Sequence, residues 1–461
     1  MLTRLEVNGF KNLVNFSVDF GVFNCIAGLN GVGKSNIFDA IKFLSLLSDK
    51  TILDASLAIR DTEFSDPLDI FWTNGEDRSN EISIAVEMIV SQRAIDDYKR
   101  SAQAASTFLR YEVKLQYQRD EHARGDYRIF LAHESLNYIN KGDAVSKLSF
   151  PLSARNFRDK VVLNKRKGAG FISTSSVGGF VEINLHQDGT AGIPQRLPAM
   201  NMERTVISNT NSIASPTILA ARREMQSWRM LCLEPSAMRR SNKYYDSRQV
   251  DASGGCMAST LNRLVEQDIS ILSRVASRLT RIIPTVDIRV DDDKSRQILT
   301  VEVKERAGAY LPARVLSDGT LRFLALCIMA EDNEFRGTLC FEEPENGIHP
   351  EKMKSMYELL KSLAVDPFEE ISDENVLRQI IIATHSPVMV NLQDPRDLIY
   401  ADVVKVKTQE GKVTNTIRAK SIRNTWRCEN NKVQAIEVGS IVAYLSYSKN
   451  SQLNLDLNSV G

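Results

Sequence analysis

No Cys-x-x-Cys pair occurs among the six cysteines of this 461-residue chain. Cys25, Cys232, Cys256, Cys327, Cys340 and Cys428 are scattered, and several sit in apolar runs. Buried free thiols in a reducing compartment are expected, rather than a disulfide framework. The five histidines lack the close pairing of zinc sites. No apolar run approaches the roughly 18–20 residues a membrane span needs. Met1-Leu-Thr-Arg-Leu-Glu-Val opens as a strand pattern, without the architecture of a signal peptide. A cytoplasmic protein with no membrane partner is expected. Basic and acidic residues balance at 58 each, so attraction to nucleic acid would need a local patch. No internal repeat or sustained heptad run occurs, and the length suits two or three domains of about 150 residues.

What is present centres on residues 28–35, Gly28-Leu-Asn-Gly-Val-Gly-Lys-Ser35, which have the form G-x-x-x-x-G-K-S. The apolar run Val22–Ala27 before them reads as a buried strand. Ile37–Leu47 after them has helical spacing. Strand, glycine loop and helix are the setting of a phosphate-binding loop. Glycines let backbone N–H groups turn around phosphate oxygens, and the helix start adds partial positive charge. Lys34 can reach the β- and γ-phosphates, and Ser35 can hold Mg²⁺. Asn30, Gly31, Gly33, Lys34, Ser35 and Asn36 are the candidate nucleotide-binding residues.

Leu2–Phe10 and Phe16–Phe20 alternate as two antiparallel strands, and Glu81–Val90 and Phe108–Gln118 as two more. Gln92–Ala105 reads as a short helix, and residues 135–215, rich in Ser, Asn, Gly and Thr, as loops with short elements. Ile218–Trp228 and Met257–Ile282 read as helices. Val286–Val290 and Gln297–Lys304 read as a strand pair around the turn Asp291–Lys294. Val403–Lys407 and Val413–Arg418 read as a hairpin around Glu410-Gly411. A last helix is expected at Val438–Tyr447, followed by a polar tail, Asn450–Gly461.

Three further motifs carry chemistry. Leu316-Ser317-Asp318-Gly319-Thr320 opens an apolar helix pattern, and a Ser-x-Gly turn there is either a second anion site or an ordinary N-cap. Gly337–Phe341 is an apolar strand pattern ending in Glu342-Glu343-Pro344-Glu345-Asn346-Gly347-Ile348-His349-Pro350. Glu342 is placed to bind Mg²⁺, and Glu343 to orient or deprotonate a water, unless both are solvated strand-end acids. Gln379–Thr384 is another buried strand pattern, ending in His385-Ser386-Pro387. His385 can donate to a phosphate oxygen or position a water, although a lone strand-end histidine is commonly structural.

In this order the motifs resemble the ABC-type ATPase heads of the RecF, SMC and OLD (overcoming lysogenization defect) group. Gly28–Ser35 matches Walker A, Leu316–Thr320 the signature, and Phe341-Glu342-Glu343 Walker B. Glu345–Pro350 matches the D-loop and Thr384–Pro387 the H-switch. The resemblance covers residues 1–120 and 285–420. It implies an α/β fold: a P-loop head with an N-terminal antiparallel β-subdomain and a short helical insertion in place of a long coiled coil. The expected division is 1–134 with Walker A, 135–284 as insertion, 285–420 with the other motifs, and 421–461 as extension. Glu343 and His385 would be catalytic, Ser35 and Glu342 would hold Mg²⁺, and Ser317 and Gly319 would contact ATP bound by another protomer. A head-to-tail homodimer or higher assembly follows. Asp318 and Thr320 depart from the LSGGQ pattern, and Glu342 stands where most P-loop enzymes have aspartate; both variants look like the OLD branch and leave hydrolysis rate open. The motifs do not place the Q-loop glutamine; Gln92, after the strand pattern Glu81–Val90, is a candidate.

Fewer than about 290 residues separate Walker A from the signature, too few for a long coiled-coil arm. Roughly 75 residues follow His385, fewer than the roughly 100 a Toprim domain needs, and no HNH-like cluster occurs. No nuclease domain is expected in this chain. That combination resembles the stand-alone ATPases of bacterial anti-phage systems, such as the Septu ATPase, paired with an HNH nuclease, or the PARIS ATPase, paired with a Toprim effector. It implies a separate nuclease or effector subunit. A RecF-like repair ATPase acting on DNA is the alternative, and a nucleotide-binding module with negligible turnover a third reading. Lys165–Lys167, the arginines around Trp228 (Arg222, Arg223, Arg229, Arg239, Arg240) and the C-terminal basic residues from Lys405 to Arg427 are candidate nucleic-acid or acidic-partner contacts, or solvated surface charge.

Overall fold

Alternating apolar and polar residues pair the first two strands, β1 (Leu2–Asn8) and β2 (Phe16–Asp19), antiparallel, with Leu5, Val7, Phe16 and Val18 buried. The computed structural model describes residues 1–446 apart from 61–65, 76, 121–126, 149–154, 179, 190–191, 284, 307, 373–374, 408–412, 431–434 and 444. The chain forms two compact units. One comprises 1–228, 367–370 and the chain from 395 onward; the other comprises 229–366 and 371–394.

In the first unit, β3 (Phe23–Ala27) is wholly buried and leads through the glycine loop into α1 (Lys34–Leu47). The strands β4 (Glu81–Ile89), β5 (Phe108–Arg119), β6 (Tyr127–Tyr138), β7 (Ile172–Val177), β8 (Phe180–Leu185) and β9 (Gln195–Pro198) join β1 and β2. They make an eight-stranded antiparallel sheet in the order β9-β8-β7-β6-β5-β4-β1-β2. Helix α2 (Pro216–Gln226) closes the unit's N-terminal part.

The second unit holds β10 (Arg229–Leu231), α3 (Met257–Gln267), α4 (Ile271–Leu279), the antiparallel pair β11 (Thr285–Asp293) and β12 (Ile298–Glu305), and α5 (Asp318–Glu331). Next come β13 (Gly337–Glu342), α6 (Met353–Leu363) and β14 (Arg378–Thr384). Strands β10, β13 and β14 are parallel neighbours. Such strands are covered on both faces and read as continuous apolar runs, which is why Gly337–Phe341 and β14 are buried throughout. The chain then returns to the first unit with β15 (Leu398–Lys407), parallel to β3, and its antiparallel partner β16 (Val413–Ile422).

The expected α/β fold with an N-terminal antiparallel sheet is the one found. Among the described residues no helix exceeds the 14 residues of α1 and α5, so no long coiled coil is formed there. Four local expectations are corrected. Gln92–Ala105 is a β-hairpin, Arg93–Ile95 with Ser101–Gln103, because the Asp96 carboxylate accepts the N–H groups of Tyr98 and Arg100 at 3.0 and 2.9 Å and folds a turn. Residues 135–215 are not mainly irregular: β7, β8 and β9 extend the sheet. The Thr174 hydroxyl there donates to Glu134 O at 2.7 Å and accepts from Glu134 N at 2.9 Å. Met257–Ile282 is two helices, because Asp268 accepts from the backbone and hydroxyl of Ser270 and leaves Ile269 exposed. The β11–β12 turn lies at Lys294–Gln297, since Asp291–Asp293 stay paired with β12. The expected last helix is helical at 438–443 and 445–446. Tyr447, the turn at Glu410-Gly411 and the tail Asn450–Gly461 lie outside the described residues.

Candidate functional site

The loop between β3 and α1 places Asn30 and Gly31 at the surface, with Ser35 and Asn36 half-buried. Gly31 and Gly33 have φ of 78° and 105°, in the left-handed region that favours glycine. A Cβ on Gly33 would sit 2.3 Å from Asn12 Nδ2. Asn12 is held under the loop, donating to Val32 O at 3.2 Å and accepting from Asn36 Nδ2 at 2.8 Å. Lys34 is buried, and its ammonium donates to Gly28 O and Leu29 O at 2.7 Å each. Helix α1 begins without a side-chain cap and without an acidic residue in its first turn, so nothing in the sequence competes for an anion there.

Lys11 pairs with Asp39 at 2.6 Å one turn along α1, and Arg60 donates to Asn36 Oδ1 at 3.1 Å. Burial lowers the Lys11 ammonium from its ordinary value, and Asp39 opposes that shift. Lys11, Asn12, Phe71, Trp72, Asn74 and Lys405 line a cavity of about 650 Å³ beside the loop.

The second unit brings the carboxylates and the histidine together. Glu342 pairs with Ala383 at the ends of β13 and β14, so the next residues of both strands emerge side by side. Glu342 is exposed. Glu343 has φ of 48°, a left-handed conformation that costs a β-carbon-bearing residue roughly 1–2 kcal/mol. It is held there by Glu343 N donating to Ala383 O at 2.8 Å and Asn346 N donating to Glu343 O at 3.0 Å. Asn346 Nδ2 donates to Glu343 Oε2 at 2.7 Å, and His385 Nδ1 lies 2.9 Å from Glu343 Oε1, without the alignment of a hydrogen bond. Both side chains are about one-third exposed, so water can reach the carboxylate.

Ser317 is the N-cap of α5, its hydroxyl accepting from Thr320 N at 3.3 Å. Asp318 pairs with Arg239 at 2.5 Å. Gly319 lies against the D-loop: a Cβ there would be 3.4 Å from Gly347 O, and Arg322 donates to Asn346 O.

Among the described residues no cluster of three or more His, Cys, Asp or Glu could hold a metal. The uncapped helix start, the open surface at Gly31 and the buried lysine fit a nucleotide's phosphates. Ser35, at the start of α1, is the residue of this loop that would hold Mg²⁺. Bound Mg²⁺ and nucleotide would supply charge neutralisation and the phosphoryl group.

Two ATPase-domain family models match the chain: "AAA ATPase domain" over residues 1–167 and "AAA domain, putative AbiEii toxin, Type IV TA system" over residues 260–391. Each of these two stretches is thus similar to an ATPase domain, and neither match spans half of the chain. The chain is 26% identical, over 175 residues, to the DNA double-strand break repair Rad50 ATPase of Aeropyrum pernix, covering 33% of its own length and 17% of that protein. It therefore spans well under a fifth of that relative's length. Solved structures similar to the chain include an SMC head bound to the C-winged helix domain of ScpA (14% identity, TM-score 0.44, 90% of this chain and 97% of that one). An SMC head with a coiled coil and joint from Pyrococcus yayanosii has 11% identity and a TM-score of 0.44, over 97% and 99% of the two chains.

Sequence reasoning missed Asn12, Lys11, Asp39 and Arg60 around the loop, and Thr384 as a partner of Glu345. None of these carries a local signature. Many residues of the basic clusters are paired within the chain. Arg222 donates to Ser48 O, Arg223 pairs with Asp97, Arg166 donates to Ala169 O, and Lys420 pairs with Asp402. Arg427 is buried and donates to Asp19 O and Asn24 Oδ1. No helix among the described residues is long and apolar enough to cross a membrane.

Proposed function

We propose that this chain is an ATP-hydrolysing switch whose nucleotide-dependent self-association controls a separate effector chain, a nuclease, in the cytoplasm of a bacterium defending itself against phage. The loop from Asn30 to Asn36 holds the triphosphate of ATP, with Lys34 on its phosphates and Ser35 and Glu342 on Mg²⁺. Ser317 and Gly319 of a second copy close over the same nucleotide. Glu343 takes the proton of the attacking water, and His385 and Asn346 orient the Glu343 carboxylate.

The observation that carries the hydrolytic reading is Glu343 itself, held at φ of 48° between His385 and Asn346. A strained residue with one carboxylate oxygen held by Asn346 and the other facing the His385 ring, within reach of water, suits a general base. The toxin–antitoxin wording of the second family model supports the defence reading. The match to a DNA double-strand break repair ATPase favours the second reading, a repair ATPase acting on DNA. An adjacent nuclease gene supports the first, and a neighbouring replication cluster the second.

The switch is tested by light scattering of the purified chain with and without ATP and Mg²⁺. ATP is expected to raise the mass to that of a dimer or larger assembly, because triphosphate charge is then compensated from both sides. A monomer under every nucleotide condition would contradict the shared site.

A further inference from the structure

We propose that Glu345 and Thr384 form a positioning pair that fixes His385 against Glu343. The proposal deepens the hydrolytic reading and rests on it. Glu345 follows the two strand-end carboxylates and, unlike them, is buried, at 6% exposure. The hydroxyl of Thr384, the fully buried last residue of β14, donates to Glu345 Oε1. The same hydroxyl oxygen accepts from Ser386 N at 2.9 Å. His385 lies between the two residues so joined, so one buried carboxylate sets the backbone on both sides of the histidine.

The Glu345 end is equally fixed. Its carbonyl accepts from Ile348 N at 3.0 Å, inside the turn whose Asn346 holds Glu343. Glu345 Oε2 is buried and has no hydrogen-bond partner among the described residues. A buried polar atom left so costs roughly 1–3 kcal/mol. Burial also raises the Glu345 carboxyl above its ordinary range, against the lowering effect of the Thr384 hydroxyl. Packing alone would favour an apolar residue here. A carboxylate kept at this cost fits a group that sets the geometry of its neighbours.

The test uses the full chain and the variants Glu345→Ala, Glu345→Gln, Thr384→Val, Thr384→Ser and Glu345→Ala/Thr384→Val. The expected kcat for ATP falls about 10- to 100-fold in Glu345→Ala and Thr384→Val, with KM within about twofold. Glu345→Gln keeps an acceptor and Thr384→Ser keeps the hydroxyl, so both stay within about threefold of wild type. The double variant is no slower than the slower single variant by more than about twofold, because one link is being cut twice. Wild-type kcat in Thr384→Val, or losses that multiply in the double variant, would overturn the pairing. Hydrogen exchange reads the link without nucleotide or turnover. The Ser386 amide is expected to exchange at least about tenfold faster in Thr384→Val than in wild type. Unchanged exchange would overturn the proposal even if the wild type hydrolyses ATP. Absent wild-type turnover would instead refute the hydrolytic reading, and the exchange result would still decide the Glu345–Thr384 link. If Glu345→Ala does not fold, the two Thr384 variants carry the same comparison.

Discussion

Replacing Gly33 by alanine perturbs the phosphate loop at its tightest point. The residue has φ of 105°, and its new Cβ would lie 2.3 Å from Asn12 Nδ2 and 2.9 Å from Asn12 Oδ1. The left-handed conformation alone costs alanine about 1–2 kcal/mol. Asn12 must also move, which strains or breaks its bonds to Val32 O and Asn36 Nδ2, worth about 0.5–1.5 kcal/mol each. The expected total is about 2–5 kcal/mol, divided between folding stability and ATP affinity. Gly31→Ala is the control, because a Cβ there meets nothing within 4 Å and only the φ of 78° opposes it. Its cost should be about 1–2 kcal/mol. Urea unfolding and calorimetric titration with a non-hydrolysable ATP analogue measure both parts. The summed loss in Gly33→Ala should exceed that in Gly31→Ala by about 1 kcal/mol or more. Equal losses, or a larger one at Gly31, would refute the packing of Asn12 beneath the loop.

Two further perturbations act away from the loop. Glu134 is fully buried, and burial raises its carboxyl from the ordinary 4.5 to about 7, against the lowering effect of Ile207 N, Val206 N and the Tyr111 hydroxyl. Between those values the folded chain holds a proton that the unfolded chain has lost, so stability falls as pH rises from about 4.5 to about 7, by about 3 kcal/mol. Glu134→Gln should flatten that slope in urea unfolding at pH 5 and pH 7.5; an unchanged slope would contradict it. Arg427→Met removes a buried guanidinium that donates to Asp19 O at 3.0 Å, Asn24 Oδ1 at 2.5 Å and Arg396 O. It should cost about 3–5 kcal/mol in unfolding free energy, whereas a solvated surface arginine would cost less than about 0.5 kcal/mol.

The strand, glycine loop and helix at residues 22–47 were legible because their requirements are local. Two left-handed glycines, a buried strand before them and an uncapped helix after them all lie within one short stretch. The parallel strands β13 and β14 were legible for a similar reason: burial on both faces leaves an unbroken apolar run. Asn12 was not, because an asparagine in a turn has no pattern that says which backbone it will meet. Strands β7 to β9 were hidden by their composition. Serine and threonine suit loops, and only pairing with β6 and with each other makes them a sheet. The break between α3 and α4 did have a local signal in Asp268-Ile269-Ser270, but the apolar spacing across it favours one continuous helix. The Glu345–Thr384 bond joins two strand ends distant in sequence, and only the register of β13 on β14 brings them together.

The central claim is that Glu343 hydrolyses a nucleotide held by Lys34, and steady-state ATP turnover with Mg²⁺ measures it most directly. Wild type should turn over. Lys34→Ala should lose both binding and turnover. Glu343→Gln should still bind ATP but turn over at least about 100-fold more slowly. Wild-type turnover no greater than that of the two variants would contradict the account.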